Sequence, residues 1–199
     1  PNIFILSDEI YEYINFTSIP HTSFAAIEGM YERTITINGL SKAFAMTGWR
    51  IGYLAAPEWI AKACNKVQGQ ITSGTNAIAQ RAAIAALKAP KSEIQYMIDE
   101  FKKRRNLVLA LLSEVEGLKV NVPEGAFYVF PDVSSFFGKT LRGRTIRNAS
   151  DFSLYLLEEA MVATVTGEAF GDANCIRISY AASEKELREA IRRIKESLA

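Results

Sequence analysis

Lys42 lies in the run Asn38-Gly39-Leu40-Ser41-Lys42-Ala43-Phe44-Ala45-Met46-Thr47-Gly48-Trp49-Arg50, and its neighbours suit an amine that reacts. The β-rich segment Arg33-Thr34-Ile35-Thr36-Ile37-Asn38 leads into a glycine-containing turn. That puts the amine at the carboxyl end of a strand, where open α/β sheets hold their ligands. A desolvated lysine with a second cation nearby, here Arg50, loses its proton more readily and can form a Schiff base with a carbonyl. Upstream, Ile3-Phe4-Ile5-Leu6 reads as a buried parallel strand with Asp8 at its exit, followed by Tyr11. Late in the chain, Arg177 stands between Ile176 and Ile178 in an alternating strand. Guanidinium forks such as those of Arg50 and Arg177 meet oxyanions bidentately.

Taken singly, each residue has a plainer reading. Asp8 could be a turn or cap residue, Tyr11 could cover a sheet edge, and Arg50 could pair with a surface carboxylate. Arg177 would by default be a charge on a solvated face.

The elements that must position these groups follow from the patterning. The first part reads as the end of an α/β layer, with strands over 3–7, 33–38 and 50–56. Helices are expected over 57–70 and 75–87, the second with Ala79, Ala82, Ala83 and Ala86 on a small-residue face. A polar turn over 71–76 separates them. After Pro90, Ile94, Met97, Ile98, Phe101, Val108, Leu111, Leu112 and Val115 recur at helical spacing, with Gly117 as a C-cap. The pattern then changes to a small α+β domain. It has strands over 119–122, 126–133, 162–165 and 175–180, a helix over 150–160, and a cationic, turn-rich stretch over 139–147 read as a mobile surface loop. Ser183 with Glu186 forms a capping box, and Leu187, Ala190, Ile191, Ile194 and Leu198 make one apolar stripe on the last helix. Phe127, Tyr128 and Phe130 are expected in the small-domain core. The expected organisation is therefore 1–90 as part of a large domain, 91–117 as an interdomain helix and 118–199 as a small C-terminal domain.

Ser-Asp-Glu-Ile-Tyr at residues 7–11, the lysine run, and Ile176-Arg177-Ile178-Ser179-Tyr180-Ala181 together resemble class I aminotransferases, pyridoxal-phosphate enzymes of the aspartate aminotransferase superfamily. The lysine run with Gly125-Ala126-Phe127-Tyr128 is most similar to the aspartate subgroup. The resemblance implies a fragment of a fold type I α/β architecture: the end of a mixed, mainly parallel large-domain sheet, then an α+β domain. It implies pyridoxal 5'-phosphate bound as a Schiff base to Lys42, which afterwards acts as general base. By the same resemblance a buried acid, Asp8, pairs with the pyridine nitrogen, Tyr11 hydrogen-bonds the 3′ oxygen, Arg50 and Ser41 hold the phosphate, and Arg177 clamps the substrate carboxylate. The expected substrates are an amino acid, aspartate first, and a 2-oxo acid, 2-oxoglutarate first. A homodimer is implied too, with the 71–76 turn reaching the neighbouring subunit's cofactor. Aromatic, prephenate or kynurenine transaminases share these features, as do regulators that bind the cofactor without turnover. The chain departs from the family at Gly39, where many members have Ser or Thr, and at Thr166, where relatives of this subgroup usually have proline.

With 199 residues and no initiator methionine, the chain reads as the C-terminal half of a longer protein. On its own it is expected to transaminate poorly, because the other half of such a site is absent. A content of 49% hydrophobic and 23% charged residues is that of an ordinary globular protein. A net charge of +1 with mixed signs offers no footprint for nucleic acid, and no apolar run approaches a membrane span. Cys64 and Cys175 lack metal-ligand spacing and His21 is the only histidine, which disfavours zinc sites and histidine-based triads. Reduced thiols suit a cytoplasmic protein.

Overall fold

The structure, a computed structural model, describes residues 3–199. The chain divides into two compact units, with the division between Ile98 and Asp99.

The first unit is built on a three-stranded sheet of order β1-β2-β3, formed by β1 (Ile5–Asp8), β2 (Thr34–Gly39) and β3 (Gly52–Ala55). β1 runs parallel to β2 in the register Asp8↔Ile37, and β3 runs antiparallel to β2 in the register Gly39↔Gly52. The carboxyl ends of β1 and β2 and the amino end of β3 therefore share one end of the sheet. The expectation of a buried first strand fails although its parallel pairing holds, for Ile3, Phe4 and Leu6 are 64%, 52% and 67% exposed. β1 is an edge strand here, and of these side chains Phe4 meets the ring of Trp59 edge-on at 5.8 Å yet stays half exposed. α1 (Glu58–Ile71) and α2 (Ala77–Lys88) follow; Asn76 caps α2, its side-chain oxygen accepting from Ile78 N and Ala79 N. The small-residue face is real, with Ala79 and Ala83 buried.

α3 (Ser92–Leu112) runs through the division between the units. Gly117, five residues beyond its last residue and inside the second unit, takes φ +92. That unit holds a sheet of order β4-β8-β7, made of β4 (Tyr128–Val129), β7 (Val165–Thr166) and β8 (Ile176–Ser179). The strands expected over 119–122 and 126–133 shrink to β4 and single bridges at Lys119↔Asp132 and Asp132↔Cys175. Pro131 is the physical reason: it has no N–H for a ladder, and only its carbonyl is used, by Ile176 N at 3.1 Å.

The stretch expected to be a mobile loop is an ordered hairpin of β5 (Thr140–Leu141) and β6 (Arg144–Thr145). Its two central residues, Arg142 and Gly143, have φ +46 and +82, the left-handed pair that a two-residue type I′ turn demands. α4 (Ala149–Glu159) and α5 (Glu184–Leu198) complete the unit. The capping box at Ser183 and Glu186 forms as expected, and Leu187, Ile191 and Ile194 face the core. They join Val129, Val133, Phe136, Phe152, Leu156 and Ile176 there. Tyr155 is buried among them and its hydroxyl donates to Ser197 O.

Candidate functional site

The sheet topology of the first unit brings three of the sequence-selected segments to one end. Asp8 ends β1, the Ser41–Lys42 turn follows β2, and Arg50 precedes β3. The lysine turn is pinned from inside by Leu40 and Ala43, 0% and 3% exposed, while Ser41 and Lys42 are half-buried. Its backbone closes through Phe44 N and Met46 N, both donating to Leu40 O, and Ala45 N donating to Lys42 O. Ala45 and Arg50 hold left-handed φ values of +52 and +51 without being glycine. Such strain persists only where surrounding structure enforces it, and it clusters at functional sites.

Asp8 is exposed in this chain, not buried as expected, because no element among the described residues covers the end of β1. Its Oδ1 accepts from Ile10 N at 3.2 Å, and among the described residues no basic side chain pairs with it. Tyr11 is half-buried and its carbonyl accepts from Ile14 N at 2.9 Å. Arg50 donates from Nη1 to Thr47 O at 2.8 Å. No carboxylate among the described residues pairs with Arg50, which removes the plainer reading of a surface ion pair. It borders a cavity of about 740 Å³ shared with Gln68, Thr75 and Asn76, and a second of about 560 Å³ shared with Asn38, Tyr53 and Cys64.

Gly39 has a structural reason to be glycine. A Cβ there would lie 3.1 Å from Gly52 Cα, 3.2 Å from Ile51 O and 3.3 Å from Ile10 Cδ1. Two of those three neighbours are backbone and cannot swing aside. Gly39→Ser, which restores a hydroxyl common in the family, is therefore expected to destabilise the protein by about 1–3 kcal/mol in denaturant titration. An unchanged midpoint would mean that β3 yields.

Sequence reasoning missed Glu9, the buried carboxylate beside Asp8. Its Oε1 accepts from Ser7 Oγ at 3.0 Å, Ser23 Oγ at 2.9 Å and Phe24 N at 3.1 Å, and its Oε2 lies 3.0 Å from His21 Nε2. Burial pushes this carboxyl up, but the bonds from His21, Phe24, Ser23 and Ser7 together outweigh it and leave the group below its ordinary value. A depressed folded-state value gives stability above the unfolded value that is lost as pH falls through the folded one. Glu9→Gln is expected to lose about 2 kcal/mol at pH 7, and the gap to the parent should narrow below pH about 4 in thermal melts taken against pH. A gap that is flat with pH would contradict an ionised Glu9. Glu9, Glu12 and His21 also place one ligand atom each within 4.8 Å of one another, the set among the described residues best arranged for a cation. The donors around Glu9 already account for its Oε1.

In the second unit, Arg177 on β8 is half-buried, with its guanidinium carbon 4.3 Å from the ring centre of Tyr128 and 4.1 Å from that of Phe170. Tyr128 comes from the neighbouring β4. Phe170 ends the 3-10 turn Gly167–Phe170, and Phe130 meets it edge-on at 6.2 Å. No carboxylate among the described residues pairs with Arg177. Ring faces hold the cation by its plane and leave its N–H edge for an anion. This sandwich joins residues far apart in sequence, so no local pattern announces it. At Thr166 the backbone φ is −59, the value proline would fix, and the hydroxyl accepts from Ser150 Oγ at 3.2 Å. Cys175 is buried and its thiol is pushed up to about 11, chiefly by desolvation, so it stays protonated at neutral pH.

Comparison with known proteins gives the family. The family described as aminotransferase class I and II matches residues 1–194. A Petunia hybrida protein, the bifunctional aspartate aminotransferase and glutamate/aspartate-prephenate aminotransferase, is 49% identical over 202 residues, covering 100% of this chain and 42% of its own. A Cereibacter sphaeroides aspartate/prephenate aminotransferase is 46% identical over 197 residues, covering 98% of this chain and 49% of its own. The crystal structure of the aspartate aminotransferase from Rhizobium meliloti superposes with a TM-score of 0.95 at 44% identity, over 100% of this chain and 50% of that one. The Thermus thermophilus aspartate aminotransferase with maleate gives 0.87 at 37% identity, over 99% and 49%. The chain spans about half the length of the curated relatives it matches.

Proposed function

The chain belongs to the aminotransferase class I and II family, and on that premise we propose that the protein is a pyridoxal 5'-phosphate-dependent aminotransferase. It moves the amino group of an amino acid, aspartate first, to a 2-oxo acid, 2-oxoglutarate first. Its mixed α/β fold corresponds to about half of a fold type I aminotransferase chain. The observation that carries the reading is that Asp8, Arg50 and Arg177, all at motif positions, have no oppositely charged partner among the described residues. Those are the charges that a pyridine nitrogen, a phosphate and a substrate carboxylate would satisfy, so the residues fit the cofactor.

When bound, the cofactor's ring supplies a sink for the electron pair left at the substrate α-carbon. The Asp8 carboxylate would keep a proton on the ring nitrogen, and the Tyr11 hydroxyl would donate to the 3′ oxygen. Arg50 would hold the phosphate with its fork, assisted by the Ser41 hydroxyl. Lys42 Nζ would hold the cofactor at its aldehyde carbon, with release of water, and once freed by substrate would take the α-proton as a general base. Arg177, steadied by Tyr128 and Phe170, binds the substrate α-carboxylate. The same reading carries a homodimer in which the 71–76 turn serves the neighbouring subunit, and a cytoplasmic location. No helix among the described residues is long and apolar enough to cross a membrane.

The test is transfer from aspartate to 2-oxoglutarate by the protein as its gene encodes it, loaded with cofactor. Glutamate and oxaloacetate should appear, and Arg177→Ala should lower kcat/KM by about 10²-fold or more, the penalty for removing one partner of a buried charge pair. No transfer by the parent, or an unaffected Arg177→Ala, would contradict the assignment. Prephenate offered as acceptor decides a second specificity, favoured by the names of the Petunia and Cereibacter relatives.

A further inference from the structure

The tyrosine segment and the lysine turn are tied to each other directly. Asn38, 7% exposed at the end of β2, donates from Nδ2 to Glu12 Oε1 at 3.0 Å, while its own Oδ1 accepts from Gly39 N at 2.7 Å. One side chain thereby holds the first amide of the lysine turn and the residue that follows Tyr11. Around this bond the Tyr13 ring meets Phe44 edge-on at 5.6 Å, and Ile10 closes against Gly39. Lys91 Nζ lies 5.3 Å from the Tyr13 ring centre. Among the described residues Glu12 forms no ion pair, and its Oε1 accepts from Asn38. Its negative charge also reaches the Tyr13 and Tyr53 hydroxyls, which burial first and Glu12 second push above their ordinary value.

We propose that Glu12 and Asn38 are positioning residues: their hydrogen bond is the clasp that sets the spacing between the segment bearing Asp8 and Tyr11 and the turn bearing Ser41 and Lys42. The proposal rests on the cofactor reading given above. A packed contact tolerates sliding, whereas a charge-assisted hydrogen bond from a buried amide fixes direction and distance. A cofactor gripped on one side by Asp8 and Tyr11 and on the other by Lys42 needs that spacing held before reaction. Neither Glu12 nor Asn38 touches the cofactor in this account.

The experiment is a double-mutant cycle. Asn38→Asp sets two carboxylates against each other, Glu12→Gln keeps an acceptor oxygen, and Glu12→Gln with Asn38→Asp restores one donor and one acceptor with the direction reversed. Asn38→Asp is expected to lower kcat and cofactor affinity about ten-fold each with KM within about two-fold, as the loss of one hydrogen bond would. Glu12→Gln should stay within about three-fold of the parent, and the double variant should recover to a similar level. In the cofactor-free proteins, amide exchange at Gly39 should speed up in Asn38→Asp and slow again in the double variant. If Asn38→Asp does not fold, Glu12→Ala takes its place, with the same fall in kcat and exchange protection expected. Unchanged cofactor affinity and exchange in Asn38→Asp (or in Glu12→Ala where it takes its place), or a folded double variant without recovery, would overturn the clasp. Failure of Lys42 in the parent protein to take up cofactor would instead overturn the reading on which it rests, and the exchange measurement separates the two.

Discussion

Lys42→Ala is expected to lose transamination by at least about four orders of magnitude while the protein keeps its fold. The size follows from the two roles proposed for one amine, a covalent partner for the aldehyde and a base for the α-proton, of which base catalysis alone is worth about 10²–10⁴. The fold should survive because Lys42 is half-buried on a turn whose anchors are the neighbouring Leu40 and Ala43. Lys42→Arg makes a demanding control: it keeps a cation at the same place, but a guanidinium stays protonated and cannot condense. Both variants should therefore be equally dead and similarly stable. Activity of Lys42→Arg within ten-fold of the parent would mean that the positive charge, and not the amine, is what the site uses.

Gly167→Ala is expected to be the most damaging of the small substitutions to stability, by at least about 3 kcal/mol, more than ordinary overpacking because backbone is what resists. A Cβ at this buried glycine would lie 2.3 Å from Asp172 O, 2.4 Å from Cys175 O and 2.7 Å from Cys175 C. Those atoms are fixed by Gly167 N donating to Cys175 O at 2.7 Å and Asp172 N donating to Gly167 O at 3.1 Å. The turn that must open carries Phe170, one of the two rings that hold Arg177. Scanning calorimetry should show a fall in Tm of roughly 10 °C or more, and substrate affinity should fall with it. A Tm within about 1 °C of the parent would show that this turn is not packed as described.

What could be read in the sequence was what is local. The capping box at Ser183 and Glu186 and the stripe of Leu187, Ile191 and Ile194 are fixed by helical periodicity, and they formed as expected. The pairing of the first two strands was legible, but the burial of Ile3, Phe4 and Leu6 was not, because burial depends on what lies against a strand. The β5–β6 hairpin was hidden by its charges: Arg142-Gly143 forms the turn, but arginine at a left-handed position is not a usual turn signal. Asp8, Tyr11, Lys42, Arg50 and Arg177 were selected by resemblance to motifs, and the topology sets the first four around one end of a sheet. Their supports, the Glu9 network, the Asn38–Glu12 bond and the rings at Arg177, join positions many residues apart. Only three-dimensional contact could reveal them.

The central claim is that the Lys42 amine is the group that takes up the cofactor. The protein expressed from its gene, incubated with pyridoxal 5'-phosphate and reduced with borohydride, should carry one stable label per chain, mapped by peptide mass to Lys42. Label on any other residue, or none at all, would contradict the account.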